Sequence, residues 1–456
     1  MVAPAPGRPP AGTGEERGTE TVTPSREDRR AGANRAPRTD LVKVQLGVML
    51  ILVAIYFLQA ATPLRLHPDT VVFLSVAETA EHGGGFLYHG QPTVFPPGYP
   101  ALLALLIRLH LAHVWVIVSL SVLSLAIGLL AVRAIIESAG FGEHIALGVC
   151  ILSLLSFVFV KYSAIPLSDT LYFGLSMCCL AAMKQPRSSG FRLRRTIACG
   201  ALLIASVCVR RVGIALIPAM VYLLMFECDV RAYAMRLSAR MKGAVVLLAA
   251  CAGALVAYVI YGTSTLRDFT ASLKGHALAD MGLRILTHRL KELGEMALNV
   301  PAAALPPIGQ HLLTALGVLV FLLVCGGVAS RRKQFGVLEA YFIAYVAILF
   351  VWPFADPRFW LPVIPLLVAY SGLSLQRLVQ GTMASGLLRG YVVLFAVLGL
   401  VTLATSTALT FSGSRFPEAY AYKEFHSTYC AEWHCQGNFD ATKVDQDGLH
   451  LLRTYK

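Results

Sequence analysis

Apolar runs of about twenty residues recur along the chain, separated by short clusters of charge. A helix rises ~1.5 Å per residue, so about 20 residues cross a ~30 Å hydrocarbon layer. Read by hydropathy, the candidate spans are 41–61, 113–132, 144–160, 169–183, 196–209, 212–226, 243–262, 311–330, 335–353, 359–376 and 386–411, about eleven in all. The pattern predicts an all-α polytopic membrane protein. Segments 196–209 and 212–226 are short, and Arg210-Arg211 interrupts them, which fits one re-entrant hairpin or two short spans. The stretch 97–110 is too short to span and reads as interfacial. Before it, Pro68 opens and Gly83–Gly85 close a short amphipathic helix. Its Val72, Val76 and Ala80 repeat at i, i+4 opposite Ser75, Glu78, Thr79 and His82, a pattern suited to the membrane interface.

Composition sharpens this picture. The 456 residues are 56% apolar and 14% charged, whereas soluble domains carry roughly 25% charged residues. A soluble enzyme is excluded, as are a disordered chain and a disulfide-dense secreted one. The net charge of +13 does not indicate nucleic acid, because residues 1–43 hold eight basic groups against six acids and the remaining surplus lies between spans. With the N-terminus inside, the inner loops carry fifteen Lys/Arg and the short outer turns carry four: Lys161, Arg210, Arg211 and Arg358. This bias predicts a plasma (inner) membrane protein with a cytoplasmic N-terminus and an extracytoplasmic C-terminus. It divides the chain into a disordered tail (1–40), a transmembrane region (41–411) with long outer loops at 62–112 and 263–310, and a small outer segment (412–456). Most of the ten cysteines sit in or beside apolar spans, where thiols behave as small hydrophobes. Cys430 and Cys435, in the polar outer segment, are the pair open to a disulfide on an oxidising face.

The chemistry belongs in the outer segments, and each candidate has a plain structural alternative. Asp69 falls in the first turn of the helix after Pro68, where the dipole favours an acid in any case. Asp169, in KYSAIPLSDTLYFGL, also suits a helix start beside Ser168. Arg210 and Arg211 are costly inside an apolar hairpin unless they meet water, headgroups or an anion, although snorkelling accommodates at least one. Arg358 lies in FADPRFWLPVIPLL with Asp356 as a ready ion-pair partner, and Trp352 and Trp360 read as an aromatic belt. In loop 263–310, Lys274 and His276 are candidates for an anionic headgroup, while most of the remaining charges there read as a solvated face.

Taken together, an apolar first span, an Asp just after it, the stretch GQPTVFPPGYP, the SDT turn, the RR interruption and the late R-x-x-L-P-x-x-P turn resemble the GT-C superfamily of membrane glycosyltransferases. The resemblance is to the protein O-mannosyltransferase and aminoarabinose transferase type and covers roughly 41–376. It implies a GT-C-like bundle in which Asp69 is the catalytic base and Asp169 a second acid. Arg210 or Arg211, Arg358, Lys274 and His276 would serve the donor phosphate. The implied donor is a polyprenyl-phosphate-linked sugar, passed with inversion to a glycolipid, polysaccharide or protein. Many members have Asp-Glu where this chain has Asp69-Thr70, so a further acid must come from elsewhere. Asp69 and Asp169 are the residues on which a divalent cation would fall, yet two lone carboxylates make a weak hard-metal site. Three rivals stand beside this reading. A lipid or solute transporter (flippase) predicts duplicated halves and mid-membrane ionisable groups. An O-antigen-ligase-like transferase would work from loop 263–310, with Arg284 and Arg289. An inactive scaffold is suggested by Thr70.

Overall fold

The computed structural model describes residues 36–184, 193–227, 278–378, 382–420, 425–433, 435 and 440–455. The chain divides into Met1–Val44 and Gln45–Lys456. The described part of the first unit is the opening of helix α1 (Ala36–Leu58), where Lys43 and Asp40 pair at 3.6 Å across one turn. The second unit holds the rest of α1 and all the chemistry below. Its helices are α2 (Pro68–Glu81), α3 (Gly98–Arg108), α4 (Val114–Ser138), α5 (Glu143–Leu154), α6 (Phe157–Ser163), α7 (Ser168–Met183), α8 (Leu193–Val209) and α9 (Leu216–Tyr222). After the predicted span 243–262, which lies outside the described residues, come α10 (Leu278–Leu298), α11 (Pro307–Ser330), α12 (Val337–Val351), α13 (Ile364–Leu378) and α14 (Thr382–Thr410). The C-terminal segment adds α15 (Phe416–Ala419), α16 (His426–Trp433) and α17 (Gln446–Thr454). Strands β1 (Leu87–Tyr88) and β2 (Gln91–Pro92) form one small antiparallel hairpin.

Among the described residues, five helices are long and apolar enough to cross a membrane: Asp40–Ala61, Val114–Ser138, Pro307–Ser330, Pro357–Leu378 and Ser385–Thr410. A sixth is the pair α5–α6, bent by 59°. The protein is therefore an integral membrane protein. The predicted segments 169–183, 196–209 and 335–353 are helical but shorter than a straight span, at 16, 17 and 15 residues. Leu319 and Leu322 on α11 and Leu387, Val393 and Val401 on α14 are exposed, as lipid-facing side chains are.

Three features position the site. First, α2 is packed on more of its surface than an interfacial helix would be, with Val71, Phe73, Leu74, Val76 and Ala77 all buried. Phe73 and Leu74 widen the apolar face beyond the i, i+4 stripe, so α2 settles among α3, the hairpin and α17 instead of lying on one face. Second, the C-terminal segment ties down the loop before α2. Tyr429 Oη donates to Leu64 O and accepts from Leu66 N, while His450 Nε2 meets Glu78 Oε2 at 3.2 Å. Cys430 and Cys435 are joined in a disulfide there. Third, α8 and the turn that follows fold back sharply at Arg210: a β-carbon at Gly213 would crowd the backbone of Ser206 and Val207. The segment 196–226 is thus a tight helical hairpin.

Candidate functional site

Helix α2 begins at Pro68, whose missing N–H costs nothing at a first helical position. The cap is His67: its Nδ1 accepts the Asp69 backbone N–H at 3.2 Å, which leaves the ring proton on Nε2. Burial and the nearby Arg358 charge push the His67 pKa down to about 4, so the ring stays neutral. The cap directs the Asp69 carboxylate toward a second short helix, the 3₁₀ turn Pro357–Val363. There Arg358 Nη2 lies 2.5 Å from Asp69 Oδ2, and Arg358 Nε lies 3.1 Å from Asp356 Oδ2. Asp356 caps its own turn by accepting the Arg358 N–H at 3.0 Å, and its Oδ1 also accepts from Tyr162 Oη at 2.8 Å. A single guanidinium thus sits between two carboxylates that are far apart in the chain.

A parallel pair stands beside it. Asp169 opens α7 and is paired with Arg210, the residue at the hairpin break. Arg211 Nη2 donates to Val94 O, drawing in the loop after β2. The guanidiniums of Arg210, Arg289 and Arg358 lie 5.4, 5.8 and 5.2 Å from the Phe359 ring centroid, so one aromatic ring meets three cations. These groups enclose a cavity of about 400 Å³ lined by Asp69, Arg210, Arg211, Arg358 and Asp356, with Phe73, Phe95, Tyr345, Trp352, Phe354 and Phe359 among its apolar wall. Asp69, Arg210, Arg211 and Arg358 therefore come together as the sequence pattern anticipated. Asp169 does not reach the cavity. Its side chain is 1% exposed and lies behind Arg210, while its neighbour Ser168 lines the wall. Lys274 and His276 lie outside the described residues.

On α10, Asp280, Arg284 and His288 are exposed, but Arg289, Glu292 and Glu295 are not part of a solvated face: they are buried. Arg289 donates to Leu349 O at 2.9 Å, Trp352 O at 3.1 Å, Phe354 O at 2.5 Å and Glu292 Oε2 at 2.5 Å. It thereby braces the chain that forms one wall of the cavity. Trp360 is no belt residue either: it is 1% exposed and its Nε1 donates to Glu292 Oε2 at 2.7 Å. A buried carboxylate needs donors, and the indole and guanidinium supply them. Burial pushes the neighbouring Glu295 carboxyl up to about 7. Arg284 is exposed and does not line the cavity.

Asp69 and Asp169 do not fit a divalent cation. Each already faces a guanidinium, so the charge a metal would neutralise is met. Among the described residues, no three His, Cys, Asp or Glu side chains are grouped as metal ligands. The residues the sequence reading missed are His67, Tyr162 and Phe359; Arg289 entered it only as a loop residue of a rival reading. Only two local signals pointed to the caps, a polar residue before Pro at His67-Pro68 and at Asp356-Pro357.

The Alg9-like mannosyltransferase family model matches residues 308–445, a stretch that carries Asp356 and Arg358 but not Asp69, Asp169, Arg210 or Arg211. No curated protein matches the chain. Among solved structures, ArnT from Cupriavidus metallidurans bound to undecaprenyl phosphate is similar at 16% identity, over 87% of this chain and 70% of that one, with a TM-score of 0.46. The apo state of the same protein is similar at 18% identity, over 85% and 74%, with a TM-score of 0.45. The arabinofuranosyltransferase AftD from Mycobacteria is similar at 16% identity, with a TM-score of 0.32; the match covers 86% of this chain and 28% of AftD.

Proposed function

We propose that this protein is a GT-C-type membrane glycosyltransferase that moves a sugar from a polyprenyl-phosphate donor to an acceptor on the outer side of the inner membrane. One observation carries the reading: a carboxylate, Asp69, shares a largely apolar cavity with three arginines, Arg210, Arg211 and Arg358, in a membrane protein. A lipid-linked sugar phosphate needs such a combination, with apolar walls for the chain, cations for the phosphate and a base for the incoming group. The family match over residues 308–445 supports it.

Asp69 takes the proton from an acceptor hydroxyl or amine as that atom bonds to the anomeric carbon. The bond from that carbon to the phosphate oxygen breaks, and its electron pair leaves with the lipid phosphate. Arg358, Arg210 and Arg211 stabilise the charge that develops there. One displacement on one base inverts the anomeric centre. Asp169 acts through Arg210, holding that guanidinium at the cavity wall. The acceptor is a glycolipid, polysaccharide or protein, and the N-terminus is cytoplasmic.

The test is transfer by purified Asp69→Asn protein from a radiolabelled polyprenyl-phosphate sugar. The expected rate is lower by about a thousandfold, within the range for loss of a general base. Transfer at the wild-type rate would remove Asp69 from this role. Sugar-independent movement of the labelled lipid across vesicles by both proteins would support a flippase instead.

A further inference from the structure

The donor reading leaves one feature of the cavity unused: Arg358 is shared. Its Nη2 holds Asp69 at 2.5 Å, its Nε lies 3.1 Å from Asp356 Oδ2 as an ion pair without hydrogen-bond geometry, and its Nη1 has no hydrogen-bond partner among the described residues although the side chain is 8% exposed. The two carboxylates are held differently. Asp356 is fixed on both oxygens, by Tyr162 Oη and the Arg358 backbone N–H on Oδ1 and by the guanidinium on Oδ2. Asp69 lines the cavity with its side chain 20% exposed. The end-on edge of a guanidinium, formed by Nη1 and Nη2, is one of the two that can grip a phosphate through two parallel bonds, and here the side-on edge is taken by the carboxylates. Here half of that edge is vacant and half is lent to Asp69.

We infer that Arg358 is a clasp anchored through Nε by Asp356, and that a phosphate headgroup displaces Asp69 from Nη2 when it takes the Nη1/Nη2 edge. Asp356 is then a positioning residue: it keeps the guanidinium in the cavity while the end-on edge changes partner. The consequence is an order of events. Before the donor arrives, the Asp69 carboxylate is occupied by the Arg358 guanidinium. The phosphate that binds Arg358 releases Asp69 for the acceptor, so the base is freed only once there is a sugar to transfer. This inference rests on the donor reading, and it adds that Asp69 competes with the phosphate.

Two substitutions that each remove one carboxylate charge from the same guanidinium separate the clasp from a simple charge effect. Binding of a polyprenyl monophosphate is measured in micelles, without sugar or acceptor, for wild type, Asp69→Asn and Asp356→Asn. The clasp predicts that Asp69→Asn binds about tenfold tighter, because the competitor is gone, and that Asp356→Asn binds no tighter than wild type, because the anchor is gone. Asp356→Glu, which keeps the charge, is expected to retain wild-type affinity if the carboxylate anchors. Inorganic phosphate as a second probe is expected to rank the proteins in the same order at weaker affinity. Equal or weaker binding by Asp69→Asn overturns the inference, as does equal tightening by Asp356→Asn. Loss of transfer in Asp69→Asn tests the donor reading, whereas tighter binding by the same variant tests the clasp. A result in which none of the proteins binds sinks both.

Discussion

At the scale of single residues, the site depends on charges that have left water and found partners. Glu295 is the incomplete case. Burial raises its carboxyl from an ordinary value near 4.5 to about 7, and the backbone of Ala302 offsets only part of that. Between those two pH values the folded protein holds a proton that the unfolded chain has released. Glu295 therefore costs nothing below about pH 4.5, and stability falls as pH rises through 7. Glu295→Gln, which stays neutral and can still accept the Ala302 N–H, is expected to raise stability by about 1–3 kcal/mol at pH 8 and to leave it unchanged at pH 4.5. Thermal melts of the detergent-solubilised protein at both pH values check this; equal melting points at pH 8 would refute it. Nothing in LTHRLKELGEMAL distinguishes Glu295 from a solvent-facing acid of an amphipathic helix. Its burial is decided by what packs over it.

At the scale of elements, the bent pair α5–α6 shows how a membrane helix breaks without exposing its backbone. The break at residues 155–156 frees a carbonyl and an N–H that lipid cannot satisfy. Asn299 supplies both partners: its Oδ1 accepts from Phe157 N at 2.7 Å, and its Nδ2 donates to Leu155 O at 2.9 Å and Phe395 O at 3.0 Å. Asn299 itself has φ near +59°, which Asn tolerates better than most side chains. Asn299→Leu leaves two buried backbone groups at the break, Phe157 N–H and Leu155 O, unpaired and is expected to cost about 2 kcal/mol or more. Half-inactivation temperature is the readout, and a shift within a degree of wild type would contradict it. The close pair α10–α11 depends equally on size, since a β-carbon at Gly294 or Gly317 would overlap the Leu313 or Leu290 carbonyl oxygen. Small residues of this kind let apolar helices approach backbone to backbone.

At the scale of the whole molecule, the C-terminal segment is bound to the element that carries Asp69. Tyr429 meets Leu64 and Leu66, Asp447 accepts from Tyr88 Oη at 2.8 Å, and His89 Nε2 lies 2.8 Å from the same oxygen. The charge bias of the loops predicts that this face is outside. Thr442→Cys is accordingly expected to react with a membrane-impermeant maleimide in intact cells, and Lys333→Cys only after permeabilisation. The reverse pattern would invert the topology, and with it the side on which the sugar is transferred.

The linear pattern alone determined that this is a helical membrane protein, where most helices begin and end, and which charged residue types stand at the ends of the apolar segments. Those properties are additive: apolar length and capping signals accumulate along the chain and need no distant partner. What only the tertiary structure decided was the pairing. Asp69 shares Arg358 with Asp356, Asp169 stands behind Arg210, and Arg289 and Trp360 turn inward to Glu292. The reason is physical. Whether a charge is solvated, paired or buried depends on groups up to hundreds of residues away, and one arginine looks like another until packing determines which carboxylate lies within reach.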